Sequence, residues 1–142
     1  MRLPTSLRRL ALLLCLAATA AFADGPVKVV YHFSEGLEQA GRGLRNISNH
    51  LGVDPGAKIV AVAHGAGIDF LLKGAKDKNG NLYENTVGDL ALAGVEFRVC
   101  NITLQSRGID AKQVIGDARI VPSGVVEVAK LQAKEGFAYI KP

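Results

Sequence analysis

Five short apolar runs, each followed by a segment of helical spacing or by turn residues, constrain this chain more than any other feature. The first, residues 27–33, is rich in Val and aromatics and is bounded by Gly25-Pro26 and Ser34-Glu35-Gly36, the pattern of a buried strand. From Leu37 the apolar residues fall at Ala40, Leu44, Ile47 and Leu51, steps of three and four that keep one helix face, and Gly52 is expected to stop that helix. Residues 58–63 form a second apolar strand running into His64-Gly65-Ala66-Gly67. A short helix over 68–72 and a polar loop over 73–81 around Asn79-Gly80 follow. A helix over 84–93, ending at Gly94, leads to the strand 95–99, which Cys100 closes. Residues 101–107 and 111–115 read as short helices and 118–121 as a fourth strand. Ser123 then caps a helix running to Lys134, and 137–140 make the last strand.

Apolar strands separated by helices require crossover connections, so the expected fold is α/β: a mainly parallel five-stranded sheet covered on both faces, in a single domain. With 49% hydrophobic and 21% charged positions the chain is too apolar for disorder, and 142 residues suit one core.

The first 23 residues read as a removed signal peptide. Arg2, Arg8 and Arg9 precede an apolar run over 10–18, and Ala21-Phe22-Ala23 offers a small-x-small cleavage pattern before Asp24. The run is well short of the ~20 residues that span a bilayer, so no membrane span is expected in the mature chain, and the expected location is the periplasm. A lipoprotein reading would need Cys15 as the acylated residue, but Leu13-Leu14 lacks the small residue that processing favours, and the flanks of Arg8-Arg9 match a twin-arginine signal poorly. Losing those three Arg takes the basic count from 17 to 14, against 13 acidic residues. The net charge of +4 therefore belongs mostly to the signal, and an extended nucleic-acid face has no support. Cys15 leaves with the signal, so Cys100 is the only thiol of the mature chain; an intramolecular disulfide and a Cys-based zinc site are both excluded.

In a parallel sheet the ligand crevice lies at the carboxyl ends of the strands, which directs attention to Ser34-Glu35, His64-Gly65, Cys100-Asn101 and Pro122-Ser123. Cys100, between a strand end and a helix start, meets backbone N–H groups that favour a thiolate; as a free cysteine it equally suits a packed core position. His64 could hydrogen-bond a thiolate or an anion, or merely bond backbone at a Gly-rich turn. His32 reads as a core or interface residue, and His50 as a helix-terminal cation. The three His lack metal-ligand spacing, so no metal is expected. Gly65-Ala66-Gly67 fails the dinucleotide fingerprint because Phe70 stands where the third glycine belongs, and neither a P-loop nor Gly-x-Ser-x-Gly occurs, so no cofactor is expected. The triplets at Asn46 and Asn101 match the glycosylation pattern, although Asn46 falls inside a helix.

The run Val95-Glu96-Phe97-Arg98-Val99-Cys100-Asn101-Ile102-Thr103, followed by Arg107-Gly108-Ile109, resembles the cysteine segment of the DsrE/DsrF-like family of small sulfur-relay proteins. Val29-Val30-Tyr31-His32 with Asn46 and Asn49-His50-Leu51, Val62-Ala63-His64-Gly65-Ala66-Gly67, and Pro122-Ser123-Gly124-Val125-Val126-Glu127 with Leu131-Gln132 and Ala138-Tyr139-Ile140 resemble its exported branch. The resemblance implies a three-layer α/β/α subunit over 24–142 that forms homo-oligomers, trimers or hexamers, and a persulfide-carrying cysteine at Cys100. His64, Gly65, Gly67, Asn101 and Ser123 are the accompanying site candidates. The best-known relay members are cytoplasmic, so their acceptors and transfer-RNA thiolation do not carry over. Asn101-Ile102 also replaces the smaller residues that follow the cysteine in those subunits. The expected function is sulfur carriage or transfer through Cys100 between an unidentified donor and acceptor. The alternative is a non-catalytic oligomeric module that binds a small ligand or protein, its cysteine structural.

Overall fold

A computed structural model describes residues 25–142. The expected signal peptide, residues 1–23, lies outside the described residues. The strands are β1 (Lys28–Phe33), β2 (Lys58–Ala63), β3 (Glu96–Cys100), β4 (Ala118–Val121) and β5 (Ala138–Ile140). They form one sheet in the order β4-β3-β2-β1-β5, and every pairing is parallel. The helices are α1 (Leu37–Val53), α2 (Tyr83–Leu92), α3 (Asn101–Ser106) and α4 (Gly124–Glu135), with 3-10 turns at Gly65–Leu71 and Ala111–Gln113. The α/β expectation therefore holds, as a single-domain three-layer fold.

The alternation of strand residues separates two cores. Val29, Tyr31, Phe33, Ile59, Ala61, Phe97 and Val99 face α1, α2 and the first 3-10 turn, which bring Ala40, Leu44, Ile47, Val87 and Phe70. Val30, Val60 and Val62 face the other way, where α4 supplies Val128 and Leu131, with Phe137 beyond its end. The second face is thinly covered, so polar side chains can stand on it beside α4. One does so deep in the sheet: Arg98 of β3, with its side chain 9% exposed, reaches Glu127 of α4 and Glu96 of its own strand, each at 2.5 Å.

Two boundaries move for physical reasons. Gly52 does not stop α1; the helix continues through Val53 and breaks at Asp54, because the residue before Pro55 is pushed out of the α region. The expected helix over 68–72 begins earlier and is wound as a 3-10 turn. Gly65 enters it at φ +56°, and Gly67 packs where a Cβ would stand 2.3 Å from the Phe33 carbonyl oxygen.

Candidate functional site

The strand register brings the ends of β2 and β3 together. Val62 pairs with Arg98 and Ala63 with Val99, so the next step along both strands places His64 beside Cys100, on the face that α4 covers. Gly124, the first residue of α4, lies against both: a Cβ on it would meet the His64 Cβ at 3.0 Å and the Cys100 Cβ at 3.2 Å. Only a glycine lets the start of the helix approach the two side chains this closely.

Cys100 is 4% exposed. Burial pushes its thiol pKa up, but the Gly124 amide, the Thr103 hydroxyl and the amides of Thr103 and Ile102 donate to the sulfur, and together they hold it below the ordinary thiol value. Thr103 is oriented for this task. Its Oγ1 accepts the Gly65 N–H at 2.9 Å, which leaves its own proton for the sulfur. Favouring of the thiolate thus comes from donors at the starts of two helices, Gly124 of α4 and Ile102 and Thr103 of α3.

His64 does not stand alone. Its Nε2 lies 2.6 Å from His32 Nε2, and His32 Nδ1 lies 2.7 Å from the Tyr139 hydroxyl. Of the two roles expected for His32, core or interface, the first is corrected: the residue is half-buried and forms the middle of a three-residue polar chain across β5, β1 and the end of β2. Period-two alternation with the buried Val30 puts His32 on the α4 face, and that phase was the available signal. Burial, then His64, then Lys141 lower the His32 pKa, and burial lowers that of His64.

Other candidates are placed differently. Ser123 occupies the N-cap position of α4, yet its side chain makes no capping bond, contrary to expectation, while the Gly124 amide is taken up by the Cys100 sulfur. Asn101 is the first, half-buried residue of α3. Gly65 and Gly67 have backbone and packing reasons for being glycine, and Gly65 touches the site through Thr103. His50 lies in the last turn of α1, and its Nδ1 is 3.0 Å from the Tyr31 hydroxyl. Thr103 and Gly124 were missed as site residues. Thr103 stands three residues after Cys100, the N-cap-to-N3 spacing of reciprocal helix caps, and that spacing could have identified it. Among the described residues no cluster of three or more His, Cys, Asp or Glu could hold a metal ion. Two surface depressions, one around Glu96, Asp117 and Arg119 and one around Lys73, Asp110 and Gln113, are lined by neither Cys100 nor His64.

A model of the DsrE/DsrF-like family matches residues 6–142. The chain belongs to that family. A solved structure of a protein of unknown function, MTH1491 from Methanobacterium thermoautotrophicum, is 29% identical, with a TM-score of 0.74 over 82% of this chain and 99% of its own. The ychN protein from E. coli shares the fold at 17% identity, with a TM-score of 0.65 over 82% of this chain and 97% of its own. No curated protein matches. DsrE/DsrF-like proteins are generally linked to sulfur relay.

Proposed function

We propose that this DsrE/DsrF-like protein is an exported sulfur carrier or sulfurtransferase in which Cys100 holds the transferred sulfur as a persulfide. The convergence of the Gly124, Thr103 and Ile102 amides and the Thr103 hydroxyl on one sulfur carries the reading. Donors arranged in this way favour the anion, the nucleophilic form of a thiol. The Cys100 thiolate attacks the outer sulfur of a sulfane donor, the donor's S–S bond breaks, and its remainder leaves with the electron pair. An acceptor thiolate then attacks the terminal sulfur of the persulfide and restores Cys100.

Export to the periplasm is supported by the basic, apolar and Ala21-Phe22-Ala23 regions at the amino terminus. A homo-oligomer, trimer or hexamer, is supported by the family resemblance and by exposed apolar side chains beside the site: Ile102 at 58%, Val125 at 57% and Val126 at 54%. Among the described residues no helix is long and apolar enough to cross a membrane.

The test is intact mass after exposure to polysulfide. Wild type gains whole sulfur atoms and Cys100→Ser gains none. The low exposure of Cys100 favours one competing reading, a binding module with a packed cysteine. Modification of the thiol only after denaturation would establish that reading and refute the proposal.

A further inference from the structure

We propose that His64, with His32 and Tyr139 behind it, supplies the proton a leaving thiolate needs when Cys100 takes sulfur from the persulfide of an alkyl thiol. This rests on the sulfur-carrier reading of Cys100 and narrows its donor to one chemical class.

The geometry is that of a proton chain. Two imidazole nitrogens 2.6 Å apart share a single proton, because each neutral ring carries one N–H and the bridge has room for one. Both His32 nitrogens are engaged, one with His64 and one with Tyr139, so His32 passes protons but cannot itself reach a substrate. His64 Nδ1 has no partner among the described residues, and His64 shares the Gly124 contact with Cys100. At the far end the Tyr139 residue is 42% exposed and open to water. Among the described residues no carboxylate bonds either ring, so neither tautomer is locked as it is when an acid orients an imidazole. Lys141, paired with Glu35 at 2.5 Å, is the charged group felt by His32 besides His64, and it opposes a second positive charge on the histidine pair.

The step balances. The Cys100 thiolate attacks the outer sulfur of R–S–SH, forming Cys100–S–SH as the R–S to S bond breaks and its electron pair goes to R–S. That thiolate takes the proton from His64 Nδ1. His64 Nε2 receives the bridging proton from His32, His32 Nδ1 receives the Tyr139 hydroxyl proton, and Tyr139 is refilled from water. A strongly basic alkyl thiolate needs this proton in order to leave. A weakly basic aromatic thiolate does not.

The experiment compares two reactions of Cys100 in wild type, His64→Gln and His32→Gln: sulfur uptake from glutathione persulfide, followed by intact mass, and exchange with an aromatic disulfide, followed by release of the coloured thiolate. The expected result is at least about a tenfold loss of persulfide uptake in both variants, with aromatic exchange within about twofold of wild type. Equal slowing of both reactions, or no slowing of either, overturns the proposal. If a Gln variant fails to fold, Tyr139→Phe, which keeps the ring and removes the outer donor, is judged by the same contrast. A wild type that exchanges with the aromatic disulfide but takes no sulfur from the persulfide refutes the sulfur-carrier reading itself and this inference with it. That outcome is distinct from a wild type that takes sulfur regardless of the histidines.

Discussion

Replacing Gly124 by Ala tests how the sulfur is held. The new Cβ would stand 3.0 Å from the His64 Cβ, 3.2 Å from the Cys100 Cβ and 3.4 Å from the Ala63 carbonyl oxygen. None of these is the end of a flexible side chain, so the first turn of α4 must retreat by a few tenths of an ångström. Overpacking of this kind costs about 1–3 kcal/mol, and the better helix preference of Ala returns up to about 1 kcal/mol, so the net loss of stability is up to about 3 kcal/mol. A second consequence is electrostatic. Hydrogen bonds to a charged group contribute about 1.5–3 kcal/mol, and a pKa unit corresponds to about 1.4 kcal/mol. Stretching the Gly124 N–H away from the sulfur without removing it should therefore raise the Cys100 pKa by about half a unit to one unit. The assay is the pH dependence of iodoacetamide alkylation, with urea denaturation alongside to confirm the fold. A folded variant whose titration stays in place or moves down would refute the idea that the start of α4 holds the thiolate.

Thr103→Val removes the hydroxyl donor to the sulfur and leaves the Gly65 N–H without its acceptor; an upward shift of about one pKa unit and a loss of about 1–3 kcal/mol are expected, read by the same two assays. Glu127→Ala strips the largely buried Arg98 of one carboxylate while Glu96 remains, so the loss should sit near the lower end for broken buried pairs, about 3 kcal/mol by urea denaturation. The histidine pair predicts a pH effect on stability: with both folded pKa values below 6.5, the unfolded chain takes up protons first, so its contribution is complete above about pH 6.5 and is lost as pH falls through the lowered values. Denaturation midpoints between pH 7.5 and about 5 should decline in wild type and decline less in His32→Gln.

The strands β1 to β3 were legible because a strand buried on both faces must be an apolar run, and Val29-Val30, Ile59-Val60-Ala61-Val62 and Phe97 with Val99 cannot be otherwise in a parallel sheet. Cys100 and His64 were legible as candidates because strand ends in such sheets are where ligands meet the protein. The site's supporting groups were not. Thr103 acts through a bond to Gly65, 38 residues away, and Gly124 acts by approaching Cys100 across the interface between α4 and the sheet; neither distance is written in local spacing. A core place for His32 is what an apolar strand suggests until the thin cover of the second face is known. The partnership of β5 with β1 was equally hidden, since three residues, two of them exposed, carry almost no pattern.

That partnership sets a timetable. The last strand of the chain lies beside the first, and the contact between His32 and Tyr139 spans 107 residues. Everything that cradles the sulfur, from Gly65 through Thr103 to Gly124, precedes the carboxyl-terminal strand in the chain, whereas the histidine chain is complete only once the final residues have docked. A chain still emerging from a ribosome therefore has all the residues of its sulfur cradle before it has Tyr139. Loss of the terminal few residues, by proteolysis or a premature stop, removes Tyr139 from the histidine chain while Gly65, Thr103 and Gly124 all remain in the sequence.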